Sequence, residues 1–545
     1  MTGIDEALDR LRGSDPLRRA GIGDGAVADD LRSAGIGFAA LGGGLEDRWH
    51  RALAELDACI RPAIDAGDVL HEGGVYHGSW LESTATINAE ILDRFVPSVT
   101  TRTHLQFAAH QREDGLLPYK LTADGPGFSQ IQMVTPLARC VWNHYLLTGR
   151  DRDYLSRMFA AMARHDDWLA THRDTRGTGG VEAFCTFDTG HDLSPRFWHV
   201  PERCFHGDAT RWDPDVPLLP FVAPDLTANV YSQRLHLALI AAELGEDPEP
   251  WNARAAASLD ALFAHCHDAE DGLFYDLAAD GRPLRLASDV LLRVLACDVG
   301  DHDLFAAALE RYLMNTRKFL APAGFTSIAM DDPRFDGDHT RNSWAGPVNF
   351  LTLIRAPHAF ERHGRVAELA LTHRSILTAV AGHDRFPQCL DPWTGDAGFT
   401  EQYSPAILWL LDATERSFGV LPRPDGETWL SGLPPTRLDH GQAASATAMS
   451  RVVDGVRYEL AADDERVEVH RDGVRWLRFP RGWRIVLDAE GAVTDAVGLV
   501  AGTVTGTLAE GAASVDLSLG PNDRATLRDG RIIAQRSPGF TPPHF

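Results

Sequence analysis

Between about residues 46 and 420 the chain keeps returning to a helical rhythm, and loops too long to be simple turns interrupt it. Val134, Leu137, Val141 and Tyr145 recur at spacings of three and four, and Leu155, Phe159, Met162 and Leu169 continue the pattern. Tyr231, Leu235, Ala238 and Ala242 mark another helix, and Phe305, Leu309 and Tyr312 a further one. Gly149, Gly245, Gly364 and Gly419 each follow such a segment and are expected to end it. The intervening stretches 174–226, 319–343 and 383–402 are rich in Gly, Pro, Asp and aromatic residues. Loops of that length inside a compact helical body usually carry function. Many antiparallel helices with long loops gathered at one end predict an α/α barrel, about twelve helices in two rings. A solenoid would show a clearer repeat.

After about residue 425 the period changes to two. Val456-Arg457-Tyr458-Glu459-Leu460 and Val467-Glu468-Val469 alternate, and Val474-Arg475-Trp476 and Trp483-Arg484-Ile485-Val486-Leu487 also read as strands. Asp454-Gly455, Asp472-Gly473 and Asp529-Gly530 are hairpin turns. Pro422, Pro424, Pro434 and Pro435 mark a linker. The expected organisation is a loosely structured or β-like lead-in over 1–45, a helical barrel over 46–422 and a small antiparallel β-sandwich over 423–545. The fold class is mainly α.

Composition narrows the function. A net charge of −25 repels nucleic acid and anionic membrane, so neither is expected as a partner. At 44% hydrophobic residues the chain can fill a core. The seven cysteines form no CxxC pair, which predicts buried free thiols rather than a zinc or disulfide framework. The N-terminus is acidic without an apolar signal region, and no apolar run reaches a membrane span, so the expected location is the cytoplasm.

Two carboxylates stand out. Asp192 lies in Asp188-Thr189-Gly190-His191-Asp192-Leu193-Ser194-Pro195-Arg196-Phe197-Trp198, and Glu401 in Thr400-Glu401-Gln402-Tyr403-Ser404-Pro405. Cleaving a sugar–oxygen bond needs one carboxyl to protonate the leaving oxygen and another to activate water. Phe187, Phe197 and Trp198 would wall Asp192, and Asp188 would add negative charge; both effects raise a carboxyl pKa. The structural alternative is that Asp188 or Asp192 caps a helix or pairs with Arg196, and that Glu401 only favours the start of a helix over 405–418. A third cluster runs from Phe325 to Phe335 and from Arg341 to Pro347; Trp344 there would stack on a sugar, and Arg341 or Asp331 would bind hydroxyls. His191, His199, His206 and Asp208 match no metal spacing, so no metal or cofactor is expected. Gly42-Gly43-Gly44 is not followed by a lysine, and no G-x-S-x-G elbow occurs.

These segments together resemble glycoside hydrolase family 63, which is related to the family 37 trehalases and includes mannosylglycerate and glucosylglycerate hydrolases. Ser129-Gln130-Ile131-Gln132-Met133-Val134-Thr135-Pro136, with Trp142, Tyr145 and Thr148-Gly149-Arg150-Asp151, is similar to its glutamine–proline segment and TGD helix end. Gln111 to Pro118 is similar to Q-x-x-D-G-x-x-P, and Asp188 to Arg196 to E-S-G-x-D-x-S-P-R. Asp225-Leu226-Thr227-Ala228-Asn229 resembles the D-L-N-A helix start, Ser327 to Pro333 and Trp344 to Pro347 the later loops, and Glu401-Gln402-Tyr403 the E-x-Y segment. The resemblance covers roughly 70–420. It implies an (α/α)6 barrel, inverting hydrolysis of an α-glycosidic bond, Asp192 as general acid and Glu401 as general base. The chain departs at Asp188, where the family commonly has Glu, at Asn342-Ser343-Trp344-Ala345, and at Trp80 and Glu82, which replace a W-D pair.

The leading expectation is therefore an inverting glycoside hydrolase that takes a terminal sugar from an oligosaccharide or small glycoside. Trp80, Tyr119, Trp198, Trp344 and Tyr403 are the expected pocket walls. Glu82, Gln132, Asp188, Arg196 and Arg341 are the expected hydroxyl binders. The expected partner is a small carbohydrate, and a homo-oligomer is compatible with the chain. The rival readings are a phosphorylase or sugar isomerase on the same barrel, which would want basic residues near Glu401, and a non-catalytic carbohydrate-binding protein.

Overall fold

A computed structural model of the chain describes residues 3–65, 67–433, 436–437, 441–442 and 444–545. Pro434 and Pro435 of the expected linker lie outside the described residues.

The helical rhythm produces helices where it was read. Leu137–Leu147 and Arg152–His172 follow one another through Thr148-Gly149-Arg150-Asp151. Gly149 takes a left-handed φ of 89°, and the Asp151 carboxylate accepts from the Asp153 and Tyr154 N–H groups, so four residues close one helix and open the next. Pro224–Leu244 ends on left-handed Gly245 and packs against Glu249–His265 and Leu137–Leu147. His302–Ala308 runs into a wider π turn over Leu309–Leu313. Gly419 behaves differently from a helix-ending glycine: its φ is −139°, and a Cβ there would lie 2.3 Å from the Met449 sulfur. It permits close approach of a strand rather than a left-handed turn.

The helices differ in burial. In Ser404–Phe418 every residue but Arg416 is buried, and the helix is surrounded by Leu45–Cys59, Asn88–Leu92, Phe350–Leu353 and Val366–Ala381. A helix buried on all sides belongs to the middle of a body. Glu249–His265, by contrast, buries only Ala255, Ser258, Ala261 and Leu262 and faces outward on the rest. Among the described residues no helix is long and apolar enough to cross a membrane.

The C-terminal part is antiparallel sheet. Six of its strands pair on one sheet and six on another. Each expected hairpin turn is present: Val453 pairs with Val456, Arg471 with Val474 and Arg528 with Arg531, and both central residues of each turn have positive φ. Tyr458, Leu460 and Val467 from one sheet share a core with Leu430, Trp483 and Ile485 from the other.

The lead-in corrects the expectation of loose structure. Residues Gly3–Arg12, Pro16–Ala20 and Ala26–Ser33 are helices, and Ile4, Ala7, Leu8 and Leu11 are buried. The strand Gly37–Leu41 then pairs with Ala446–Val453, Phe38 opposite Met449, and is the seventh strand, at the edge of the first sheet. A pairing between residues so far apart in the chain leaves no local signal.

Candidate active site

The long loops converge on one small cavity. Its wall contains Glu72, Tyr76, Trp80 and Glu82 from one stretch, with Gln132, Asp192, Asn342, Gln388 and Tyr403 from elsewhere in the chain. Short strands brace it: Ser79–Trp80 pairs with Lys120–Thr122, and Val348–Asn349 pairs with Cys389–Leu390.

Asp192 is held from several directions. Its carbonyl accepts from the Trp344 N–H at 3.0 Å, and its carboxylate accepts from the Asn342 amide. Asn342 in turn accepts from Gln388 at 2.9 Å, and Gln388 accepts from the Tyr76 hydroxyl at 2.9 Å. The neighbouring residues anchor the loop. Arg173 grips both oxygens of Asp188, which also accepts from the Ile131 and Phe184 N–H groups. Arg196 forks between Asp225 and Asp276, and Arg293 donates to the Thr189 carbonyl at 2.8 Å. Gly190 lets the loop approach Glu82; a Cβ there would lie 2.6 Å from its carboxylate.

Burial, then the nearby Glu82 charge, pushes the Asp192 carboxyl up to about 7, against the pull of the Asn342 amide. Glu82 is raised too: burial outweighs Arg293 and Arg355. One Glu82 oxygen accepts from Gln132 at 2.9 Å, and the other has no hydrogen-bond partner among the described residues. Burial pushes Glu72 up to about 8. Near neutral pH this cavity therefore offers protons as well as acceptors, as protonation of a poor leaving oxygen requires.

The structure brings together five of the twelve residues singled out from the sequence. Asp192, Trp80, Glu82, Gln132 and Tyr403 share the wall. The others lie elsewhere. Asp188 is wholly buried and taken by Arg173, with Cys185 and Cys204 against the same carboxylate. Arg196 is spent on its two aspartates. Tyr119 is buried beneath Gly127, Trp198 is 54% exposed, and Arg341 is exposed between Asp336 and Asp338. Trp344 is 1% exposed and sits behind Asp192, against His191 and the Arg293 guanidinium. Glu401 is exposed and outside the cavity wall, between Thr400 and Gln402, which both have left-handed φ, 60° and 52°.

Glu72, Tyr76, Ser83, Leu351 and Gln388 are further parts of the wall and were not singled out. The available signal was His71-Glu72-Gly73-Gly74, a carboxylate beside a glycine pair just before Tyr76 and Trp80.

A carboxyl poised near neutrality beside aromatic walls, on a rigid loop, is the equipment of a glycoside hydrolase, and comparison with known proteins agrees. The mannosylglycerate hydrolase MGH1-like glycoside hydrolase domain matches residues 76–405, and the chain belongs to that family. Among solved structures, the family 63 mannosylglycerate hydrolase from Thermus thermophilus in complex with glucose has a TM-score of 0.56 at 20% identity, over 67% of this chain and 99% of that one. A sialidase gives 0.61 at 13% identity over 86% of this chain and 44% of that one. The family 78 rhamnosidase of Bacillus sp. GL1 gives 0.51 at 14%, over 78% and 40%. These likenesses concern the fold. No curated protein sequence matches the chain.

Proposed function

We propose that the chain is an inverting glycoside hydrolase that removes a terminal α-linked sugar from a small glycoside, on an (α/α)6 barrel. The barrel spans residues 46–422, and residues 423–545 form an appended β-sandwich. A wholly buried helix and an outward-facing one are what a barrel of two rings would contain. The single observation that carries the mechanism is Asp192: it lines the cavity beside Trp80, Tyr76 and Tyr403 with its carboxyl pushed up to about 7.

In this reading Asp192 gives its proton to the leaving oxygen. Trp80, Tyr76 and Tyr403 form the aromatic wall, and Glu82 in the same wall accepts a sugar hydroxyl. Glu401 takes a proton from water attacking the opposite face. It stands two residues from Tyr403 of the wall, on the segment that borders the cavity. Catalytic contacts often tighten only in the complex. The two carboxyls should then stand about 6.5–9.5 Å apart. The acidic cavity favours a neutral sugar, and the mannosylglycerate hydrolase family is what points to a small aglycone such as glycerate. Seven buried free thiols fit a reducing compartment, the cytoplasm.

The test is turnover of α-linked disaccharides and glycosyl-glycerates, with the product anomer followed by NMR. Release of a sugar with inverted configuration is expected. A retained anomer, or turnover that depends on phosphate, overturns the reading.

A further inference from the structure

The cavity holds a carboxyl that neither the acid nor the base role uses. Glu72 is buried in its wall, where it accepts from the Ser83 hydroxyl and hydrogen-bonds with the Tyr403 hydroxyl. Its main chain is tied to the same neighbours: its carbonyl accepts from the Ser404 N–H at 2.8 Å, and its N–H donates to the Gly78 carbonyl at 2.8 Å. The next residues continue the contact. Gly73 forms a β-bridge with Tyr403, and a Cβ on Gly73 would lie 2.1 Å from the Gln402 carbonyl oxygen. A Cβ on Gly74 would lie 2.2 Å from the Thr400 hydroxyl and 2.5 Å from the Glu401 carbonyl oxygen. The Val75 N–H donates to the Thr400 hydroxyl at 3.2 Å. Residues 72–75 are thus the bed on which 400–404 lies. Two glycines bring the backbones together, and Glu72 is the side chain that locks them.

We propose that Glu72 is a positioning residue for the hydrolysis, holding Tyr403, and through it the Glu401-bearing segment 400–404, in register with the cavity. The inference rests on the reading of Glu401 as the base. The titratable groups facing Glu72 are Glu82, Tyr403, Tyr76 and the Cys59 thiol, with Asp192 in the same cavity wall. None of these is a cation; the Tyr403 hydroxyl favours a carboxylate, but burial outweighs it, the Glu82 charge adds to burial, and Glu72 stays protonated to about pH 8. A protonated carboxyl accepts from one hydroxyl and donates to the other. An ionised one cannot donate, and it faces Glu82.

Glu72→Gln keeps a donor and an acceptor in the same shape and cannot ionise; Glu72→Ala removes both. With mannosylglycerate as the first probe, Glu72→Gln should keep kcat within about threefold at pH 6, while Glu72→Ala loses about 10- to 100-fold in kcat with KM nearly unchanged, as misplacing a reacting group does. In the parent enzyme log kcat/KM should fall with slope −1 once Asp192 loses its proton, and steepen to −2 above about pH 8. Glu72→Gln should keep slope −1. Full kcat in a folded Glu72→Ala, or the same steepening in Glu72→Gln, overturns the proposal; if Glu72→Ala does not fold, the Glu72→Gln profile decides. Full activity in Glu401→Gln would instead remove the base reading itself, whereas loss there with indifferent Glu72 variants removes only this inference.

Discussion

Two loops carry the carboxyls proposed for catalysis, and the protein holds them differently. The Asp192 loop is pinned by three buried arginines: Arg173 on Asp188, Arg196 on Asp225 and Asp276, and Arg293 on the Thr189 carbonyl. The Glu401 side chain is exposed, and the geometry of its loop comes from two left-handed residues and from the glycine bed beneath it. The difference suits the two proposed tasks. A general acid needs an environment that keeps its proton, and only burial and fixed neighbours supply that. A general base must stay ionised and meet water, which exposure supplies at no desolvation cost.

The sharpest way to break the comparison is to attack the anchor. Arg196→Met leaves Asp225 and Asp276 buried without their shared partner, which should cost about 3–5 kcal/mol. Denaturant unfolding measures it, and a loss under about 1 kcal/mol would mean the fork does not hold the loop. Next come the carboxyls. Asp192→Asn and Glu401→Gln should each lose at least about a hundredfold in kcat, some 2.7 kcal/mol of barrier, with unchanged circular dichroism. Near-parental turnover in either removes its assigned role.

The third test is pH. Asp192 acts protonated, so kcat/KM should fall as pH rises through about 7. Its pKa is raised on folding from 3.8, so its contribution to stability is full below 3.8 and is lost as pH rises through about 7. Asp192→Asn should therefore flatten the fall in Tm between those values; an unchanged Tm profile would mean that the buried proton is elsewhere. The smallest effect is on the other loop. Gln402→Gly relieves a left-handed non-glycine residue and should raise stability by roughly 1 kcal/mol while lowering kcat a few-fold, because Glu401 is then less well fixed. A destabilised variant would show that the Gln402 side chain itself is needed.

Local pattern made much of the fold legible. Apolar spacing located the long helices, and three Asp-Gly pairs located three hairpins, because both signals are written in neighbouring residues. The site was legible only in part. Asp192 and Tyr403 lie in stretches whose glycines and aromatics mark a loop with a purpose. Asp188 and Arg196 come from the same stretch, yet their partners are Arg173, Asp225 and Asp276, and nothing in sequence says that a carboxylate is already matched. Glu72 was missed for the complementary reason: its importance comes from burial among hydroxyls contributed by Ser83 and Tyr403, which only folding creates.

The strand Gly37–Leu41 lies outside the stretch 76–405 that defines the family, yet it closes one side of the C-terminal sheet against Ala446–Val453. A fragment trimmed to the family's own limits would discard that cover along with the sheet it protects, and one that kept the sheet but dropped the first forty-odd residues would bare a row of unpaired amides, inviting self-association. Engineers wishing to shorten this enzyme should therefore treat its opening and closing segments as a single inseparable piece.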